Sequence, residues 1–201
     1  KEAPEIKVIL SSDIWPVVRE YERTITAVVA GYVQPQVAYY LSSLQEVLKE
    51  SGAGVEPMIT KSNGGVMTAE RGKTDCAQML LSGTASGVMG ASSIAMQTKV
   101  PMAMSLDIGG TSADVSIINS GEPQFGIGEL IGEFPIYIPS VSVSSIGEGG
   151  GSIAWMDEQG ILKVGPESAG STPGPACYGK GGEKPTITDA LVVLGYLGKS
   201  T

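Results

Sequence analysis

Two apolar runs, Met102–Leu106 and Val115–Ile118, flank the string Asp107-Ile108-Gly109-Gly110-Thr111-Ser112-Ala113-Asp114. Apolar runs of this length bounded by glycines read as buried strands, so the string becomes the tip of a β-hairpin. Gly109 and Gly110 admit φ > 0 and let a ligand's phosphate come close to the backbone. Successive N–H groups turned inward at such a tip form an anion-binding concavity. Asp107, at the end of its strand, faces that concavity with a carboxylate suited to Mg²⁺ or its waters. Thr111 and Ser112 add hydroxyl donors. The string therefore predicts a phosphate-binding hairpin of an ATP-using protein, with Asp107 and Thr111 nearest the chemistry. An ordinary Gly-Gly turn with aspartate as turn former also satisfies it.

The rest of the composition narrows the classes. The 201 residues suit one large domain, or one domain plus an appendage, and 42% hydrophobic with 17% charged residues describes a globular chain. A formal charge of −8 without any basic run argues against a nucleic-acid face. The apolar stretches fall far short of the ~20 residues of a membrane span. The start, Lys1-Glu2-Ala3-Pro4-Glu5, has neither an initiating methionine nor a signal peptide, which reads as an excised piece of a longer chain. Cys76 and Cys177 are the only cysteines, without metal-ligand spacing, and read as packed, reduced thiols of a cytoplasmic protein. The absence of histidine removes any Ser-His or Cys-His pair from within the chain.

Along the chain, Val33, Val37, Tyr40, Leu41, Leu44 and Leu48 repeat at helical spacing and predict a helix from Pro35 to Ser51, with Gly52 as its stop. Thr24–Ala30 leans towards helix, kinked at Pro35. Residues 1–52 thus form a leading segment and helix, and residues 53–201 an α/β core with glycine-rich loops. Val55–Thr60 reads as a buried strand ending at the Asn63-Gly64-Gly65 turn. A second helix over Thr84–Gln97 has a small-residue face of Ala85, Gly87, Gly90, Ala91 and Ala95. Its glycine- and hydroxyl-rich start suits either an anion or a tight packing turn.

Beyond the hairpin, Pro135–Ile146 reads as extended with a break at Pro139. The cluster Gly147-Glu148-Gly149-Gly150-Gly151-Ser152 marks a loop that a ligand or a second backbone approaches closely. Ile153–Asp157 and Ile161–Val164 form a hairpin around Gly160. The sparsely charged Gly/Pro-rich loop Gly165–Gly182 reads as packed on the body, with Cys177 and Tyr178 partly buried. Thr186-Ile187-Thr188-Asp189 caps a last helix, Ala190–Leu197, which Gly198 stops. A P-loop at Gly72-Lys73-Thr74 fails, because the earlier glycine it needs is Met67.

Several of these stretches together resemble the hydantoinase A/5-oxoprolinase family, which includes N-methylhydantoinase A and acetone carboxylase subunits. They are Ser62–Met67, Asp107–Ser112, Gly149–Trp155, and the most specific, Val164-Gly165-Pro166-Glu167-Ser168-Ala169-Gly170 through Pro173–Gly179 to Thr188-Asp189-Ala190. Glu20–Thr24 and Leu81-Ser82-Gly83 fit as well. The resemblance implies an α/β lobe of the actin-like, RNase H-like kind, with a mixed sheet flanked by helices, as in actin and the sugar kinases. It implies ATP and Mg²⁺ as cofactors, with Gly109, Gly110, Thr111, Ser112, Gly149, Gly150 and Gly151 around the nucleotide and Asp107 at the metal. It also implies an ATP-dependent hydrolase of small cyclic amides, or a ketone carboxylase subunit, in which ATP phosphorylates an amide or enolate oxygen. A nucleotide-binding module without turnover is the reading from another class. Full-length members carry another D-x-G-G-T in an N-terminal lobe, so this chain is similar to the second lobe alone. Its expected partners are that lobe, a hydantoinase B-like subunit and a small-molecule substrate. Members often read Ser-Gly-Pro-Ala-Ala-Gly where this chain has Ser82–Gly87. Many carry Asp-x-His where it has Ser142 and Ser144.

Overall fold

A computed structural model describes residues 8–131 and 134–198 of the chain. In chain order the elements are α1 (Ser11–Ile14), α2 (Glu20–Glu50), β1 (Met58–Thr60), β2 (Val66–Thr68), α3 (Ala69–Gly72) and a 3-10 turn over Cys76–Met79. Then come α4 (Ser82–Thr98), β3 (Met102–Ile108), β4 (Ala113–Asn119), β5 (Glu122–Pro123), β6 (Phe125–Ile131) and β7 (Phe134–Val141). Last are β8 (Ser144–Ile146), β9 (Ser152–Met156), β10 (Leu162–Ser168), a 3-10 turn over Ala176–Tyr178, and α5 (Ile187–Val193). The class is α/β. The described strands fall into four small sheets, with antiparallel ladders for β1–β2, β4–β5, β4–β8, β6–β7 and β9–β10. Packing divides the chain into two compact units. One runs up to Met102 and includes Ile118–Ser142; the other joins Ala103–Ile117 to the segment from Val143 onward. This grouping differs from a division at residue 52, because the leading helix α2 shares a core with β7.

In the first unit, α2 begins at Glu20 and passes through Pro35, which lies exposed in its interior rather than in a first turn. Thr26, Ala30, Gln34 and Leu41 form its buried stripe, and that stripe runs across the proline. Tertiary burial along one face thus outweighs the hydrogen bond that a proline removes. Ala30 packs with Cys76, Ala77, Ile136 and Ile138. The free edge of β7 is closed by a side chain: the Tyr137 N–H donates to the buried Thr26 hydroxyl at 3.0 Å, which itself donates to the Glu22 carbonyl at 2.9 Å. Gly52 follows the helix at φ +85°, as the stop signal predicts.

Several expectations shift. The 55–60 strand is only Met58–Thr60 and half-buried, because it pairs solely with β2. The buried stripe of α4 is Ala85, Val88, Ser92 and Ala95; Gly87 and Gly90 face outward. Pro139 does not break β7 but sits exposed within it, opposite Ile127. A two-stranded sheet leaves one side of each strand without a ladder, so a proline is tolerated there.

The second unit carries the hairpin of β3 and β4, and β8 pairs along β4 from Ala113↔Ile146 to Val115↔Ser144. β3 is not buried as expected. Met102, Met104, Leu106 and Ile108 alternate along one face and are 55–70% exposed, so among the described residues that face lacks a cover. β9 and β10 form the expected hairpin around Gly160, φ +74°, where Asp157 Oδ1 accepts from the Gln159 and Ile161 N–H groups. α5 starts at Ile187, earlier than predicted, and the left-handed residue that follows it is Gly195 rather than Gly198. No helix among the described residues is long and apolar enough to cross a membrane.

Candidate functional site

Asp107 sits near the end of β3 and is exposed; Gly109, Gly110 and Thr111 are exposed, and Ser112 is half-buried. The tip closes on itself, with the Gly109 N–H donating to the Ser112 carbonyl at 2.8 Å. Neither Gly109 nor Gly110 takes a positive φ, so the conformational reason for glycine fails here. A different reason holds at Gly110. A Cβ built there meets nothing within 4 Å, so the protein's own packing does not require a glycine at position 110. What that Cβ would fill is open space over the backbone.

The glycine cluster resolves in favour of a second backbone. The Gly150 N–H donates to the Gly109 carbonyl at 2.8 Å, and the Gly151 N–H donates to the Gly110 carbonyl at 2.7 Å. The Gly149 N–H is held by the Ser152 hydroxyl at 2.9 Å. All three amides that the resemblance places around a nucleotide are therefore engaged within the protein. At Gly149 and Gly151 the absence of a side chain is a steric requirement. A Cβ at Gly149 would lie 2.6 Å from the backbone of Thr111 and Ser112, and one at Gly151 would lie 2.8 Å from the Gly110 carbonyl.

That brace fixes the tip's peptide planes. In a trans peptide the C=O and the next N–H point in opposite directions. With the Gly109 and Gly110 carbonyls turned onto Gly150 and Gly151, the N–H groups of Gly110 and Thr111 face away from the cluster. Among the described residues neither has an acceptor. Two successive N–H groups facing away from the cluster, without a backbone acceptor among the described residues, can donate to an anion.

The cluster is held by residues whose local pattern marks a helix cap. Thr188 donates both its N–H and its hydroxyl to the Gly150 carbonyl, each at 2.8 Å. The α5 start is a capping box: the Asp189 N–H donates to the Thr186 hydroxyl oxygen, and Asp189 Oδ2 accepts from the Thr186 N–H at 2.8 Å. The same carboxylate accepts from the N–H groups of Cys177 at 2.7 Å and Ala176 at 3.3 Å. Desolvation works to raise its pKa, but hydrogen bonds from the Cys177 N–H, the Cys177 thiol and Thr186 outweigh it and lower the group to about 2. Thr186-x-x-Asp189 is legible as a cap; its reach to the 176–178 turn is not, because that contact spans a loop without periodicity. Cys177 and Tyr178 are exposed rather than partly buried; the loop's anchors are the buried Gly174 and Pro175. Hydrogen bonding to Asp189, with burial and that carboxylate's charge, pushes the Cys177 thiol up.

Among the described residues no cluster of three or more His, Cys, Asp or Glu forms a metal cage. A magnesium ion delivered with a nucleotide does not need one, since it is held by one or two carboxylates together with phosphates and waters. Asp107 fits that role. Leu81 precedes α4 at φ 59°, so the chain enters that helix through a tight left-handed turn. Ser144 lies on β8 opposite Val115, and Ser142 just precedes that strand.

Comparison with known proteins agrees with this architecture. The chain is 37% identical over 96% of its length to the caprolactamase subunit alpha of Pseudomonas jessenii. It is 35% identical over 98% to the acetophenone carboxylase gamma subunit of Aromatoleum aromaticum, and 35% over 94% to 5-oxoprolinase 1 of Arabidopsis thaliana. It spans 28%, 27% and 15% of those proteins. Among solved structures, nucleotide-free acetone carboxylase superposes with a TM-score of 0.77 at 32% identity, over 98% of this chain and 28% of that one. The ATP-dependent caprolactamase of P. jessenii gives 0.76 at 35%, with the same coverage. The hydantoinase/oxoprolinase family model matches residues 23–201, and the chain belongs to that family.

Proposed function

We propose that this chain supplies one half of the ATP site of an ATP-dependent hydrolase of small cyclic amides, of the 5-oxoproline or hydantoin type. The observation that carries this reading is the pair of outward N–H groups at Gly110 and Thr111, beneath a glycine that the fold itself does not need. The two amides donate to a nucleotide phosphate, and the Thr111 and Ser112 hydroxyls stand beside them as further donors. Asp107 holds Mg²⁺ or its waters, and the ion neutralises phosphate charge when bound. Such a site works by positioning and by charge stabilisation, because phosphoryl transfer needs little covalent help from the protein. The partners are a second lobe with its own phosphate motif, and a hydantoinase B-like subunit.

The carboxylase relatives, at 32–35% identity, support a second reading as a subunit of an ATP-dependent ketone carboxylase. Ser142 and Ser144 bring neither carboxylate nor imidazole to the place where many members carry both, so the substrate is decided by assay. In the full-length protein, phosphate release from Mg-ATP should rise with a cyclic amide. A rise only with a ketone and bicarbonate moves the assignment to the carboxylase. ATP binding that neither substrate accelerates leaves a nucleotide-binding module.

The nucleotide site has its own test. Asp107→Asn should weaken Mg-ATP binding by calorimetry by about one to two decades, since a charge-assisted contact is worth roughly 1.5–3 kcal/mol. Unchanged affinity removes Asp107 from the site.

A further inference from the structure

Thr188 stands behind the glycine cluster, out of the sequence motif that marks the hairpin, yet its hydrogen bonds end there. Its N–H and hydroxyl both donate to the Gly150 carbonyl at 2.8 Å. That carbonyl shares a peptide plane with the Gly151 N–H, which donates to the Gly110 carbonyl at 2.7 Å. The Gly110 carbonyl in turn shares a plane with the Thr111 N–H. Three groups are thus aligned head to tail: the Thr188 donors, the 150–151 peptide and the 110–111 peptide. Aligned amides polarise one another, so a donor pair at one end strengthens the N–H at the other. Thr188 is itself fixed. Thr186 bridges to Ile153 of β9, the Ala154 N–H donates to the Pro185 carbonyl at 2.8 Å, and the capping box with Asp189 sets the first turn of α5.

We infer that Thr188 is a positioning residue for the phosphate-binding hairpin, aiming and polarising the Thr111 N–H through the Gly150–Gly151 peptide without touching the nucleotide. This rests on the reading of the hairpin as a phosphate site. A threonine needed only to start α5 would serve through its backbone alone; the hydroxyl's bond to Gly150 is the part the inference assigns to ligand binding.

The test is calorimetry of the full-length protein with Mg-ATP, Mg-ADP and adenosine, on Thr188→Val and Thr188→Ser. Losing the hydroxyl donor should weaken both phosphorylated ligands about five- to tenfold, leave adenosine within about twofold, and be largely reversed by serine. Gly150→Ala is the second route, because a Cβ there would lie 2.7 Å from the Thr188 hydroxyl oxygen and displace it without removing it. It should show the same phosphate-selective loss even where Thr188→Val fails to fold. Wild-type affinity for Mg-ATP in folded Thr188→Val overturns the inference and leaves the site standing. Equal loss of adenosine, or no rescue by serine, overturns it too, since the effect is then not on the phosphate donors. Failure of the wild-type protein to bind Mg-ATP at all overturns the phosphate-site reading beneath it.

Discussion

Gly110 separates binding from folding more cleanly than any other residue of the site. It has no positive φ, and a side-chain carbon placed on it would meet no neighbour within 4 Å, so Gly110→Ala should leave the melting temperature unchanged or slightly raised. On the proposed function the same methyl would occupy the space through which a phosphate reaches the backbone, so calorimetry should show at least about a tenfold loss of Mg-ATP affinity. Full affinity in this variant would place the nucleotide elsewhere. Asp189 gives a residue-scale prediction of the opposite kind. Its carboxyl is held near 2, below its ordinary 3.8, so the native state favours the charged form. The stability this contributes is present above about pH 4 and lost as pH falls through about 2. Denaturant unfolding should therefore weaken over that window in the wild type and less in Asp189→Asn. In the same variant the exposed Cys177 thiol, released from the carboxylate that now raises its pKa, should alkylate faster at neutral pH.

At the scale of elements, the hairpins are legible because their signals are local. Alternating strands around Gly160 and the flanking runs around Gly109-Gly110 need only neighbours in sequence. The start of α2 is only partly legible: Thr24–Ala30 leans towards helix, but Pro35 reads as a first turn unless one knows that Thr26 and Ala30 are covered by β7 and the Cys76 turn, far along the chain. The exposure of β3 escapes a sequence reading for the converse reason: an apolar run carries no mark of whether anything covers it. The role of the glycine cluster lies between these cases. Four glycines announce a close approach, but only the register of Gly150 and Gly151 against Gly109 and Gly110 says that a backbone makes it. Two substitutions check what holds α2 in place. Pro35→Ala, at an exposed position, should raise unfolding free energy by about 1–3 kcal/mol, by restoring a helical hydrogen bond and relieving the ring's clash. Thr26→Val should cost about 1–3 kcal/mol, because it leaves the Tyr137 N–H without its acceptor.

At the scale of the whole molecule, the family is legible and the activity is not, since relatives at similar identity are named as caprolactamase, oxoprolinase and ketone carboxylase subunits. The chain spans about 28% of the solved relatives, and its sequence holds one D-x-G-G-T string and no histidine. Cleft enzymes assemble catalysis from two lobes, and a misplacement of about one ångström can cost a hundredfold in rate. On the proposed function, residues 1–201 hold half of a nucleotide site. The most direct measurement is phosphate release from Mg-ATP by the 201-residue piece beside the full-length protein, each with and without cyclic amide, with circular dichroism confirming that the piece is folded. Substrate-stimulated release by the full-length protein and none by the folded piece is the expected result. Stimulated turnover by the piece near the full-length rate would contradict the half-site, since the whole active site would then lie within this chain.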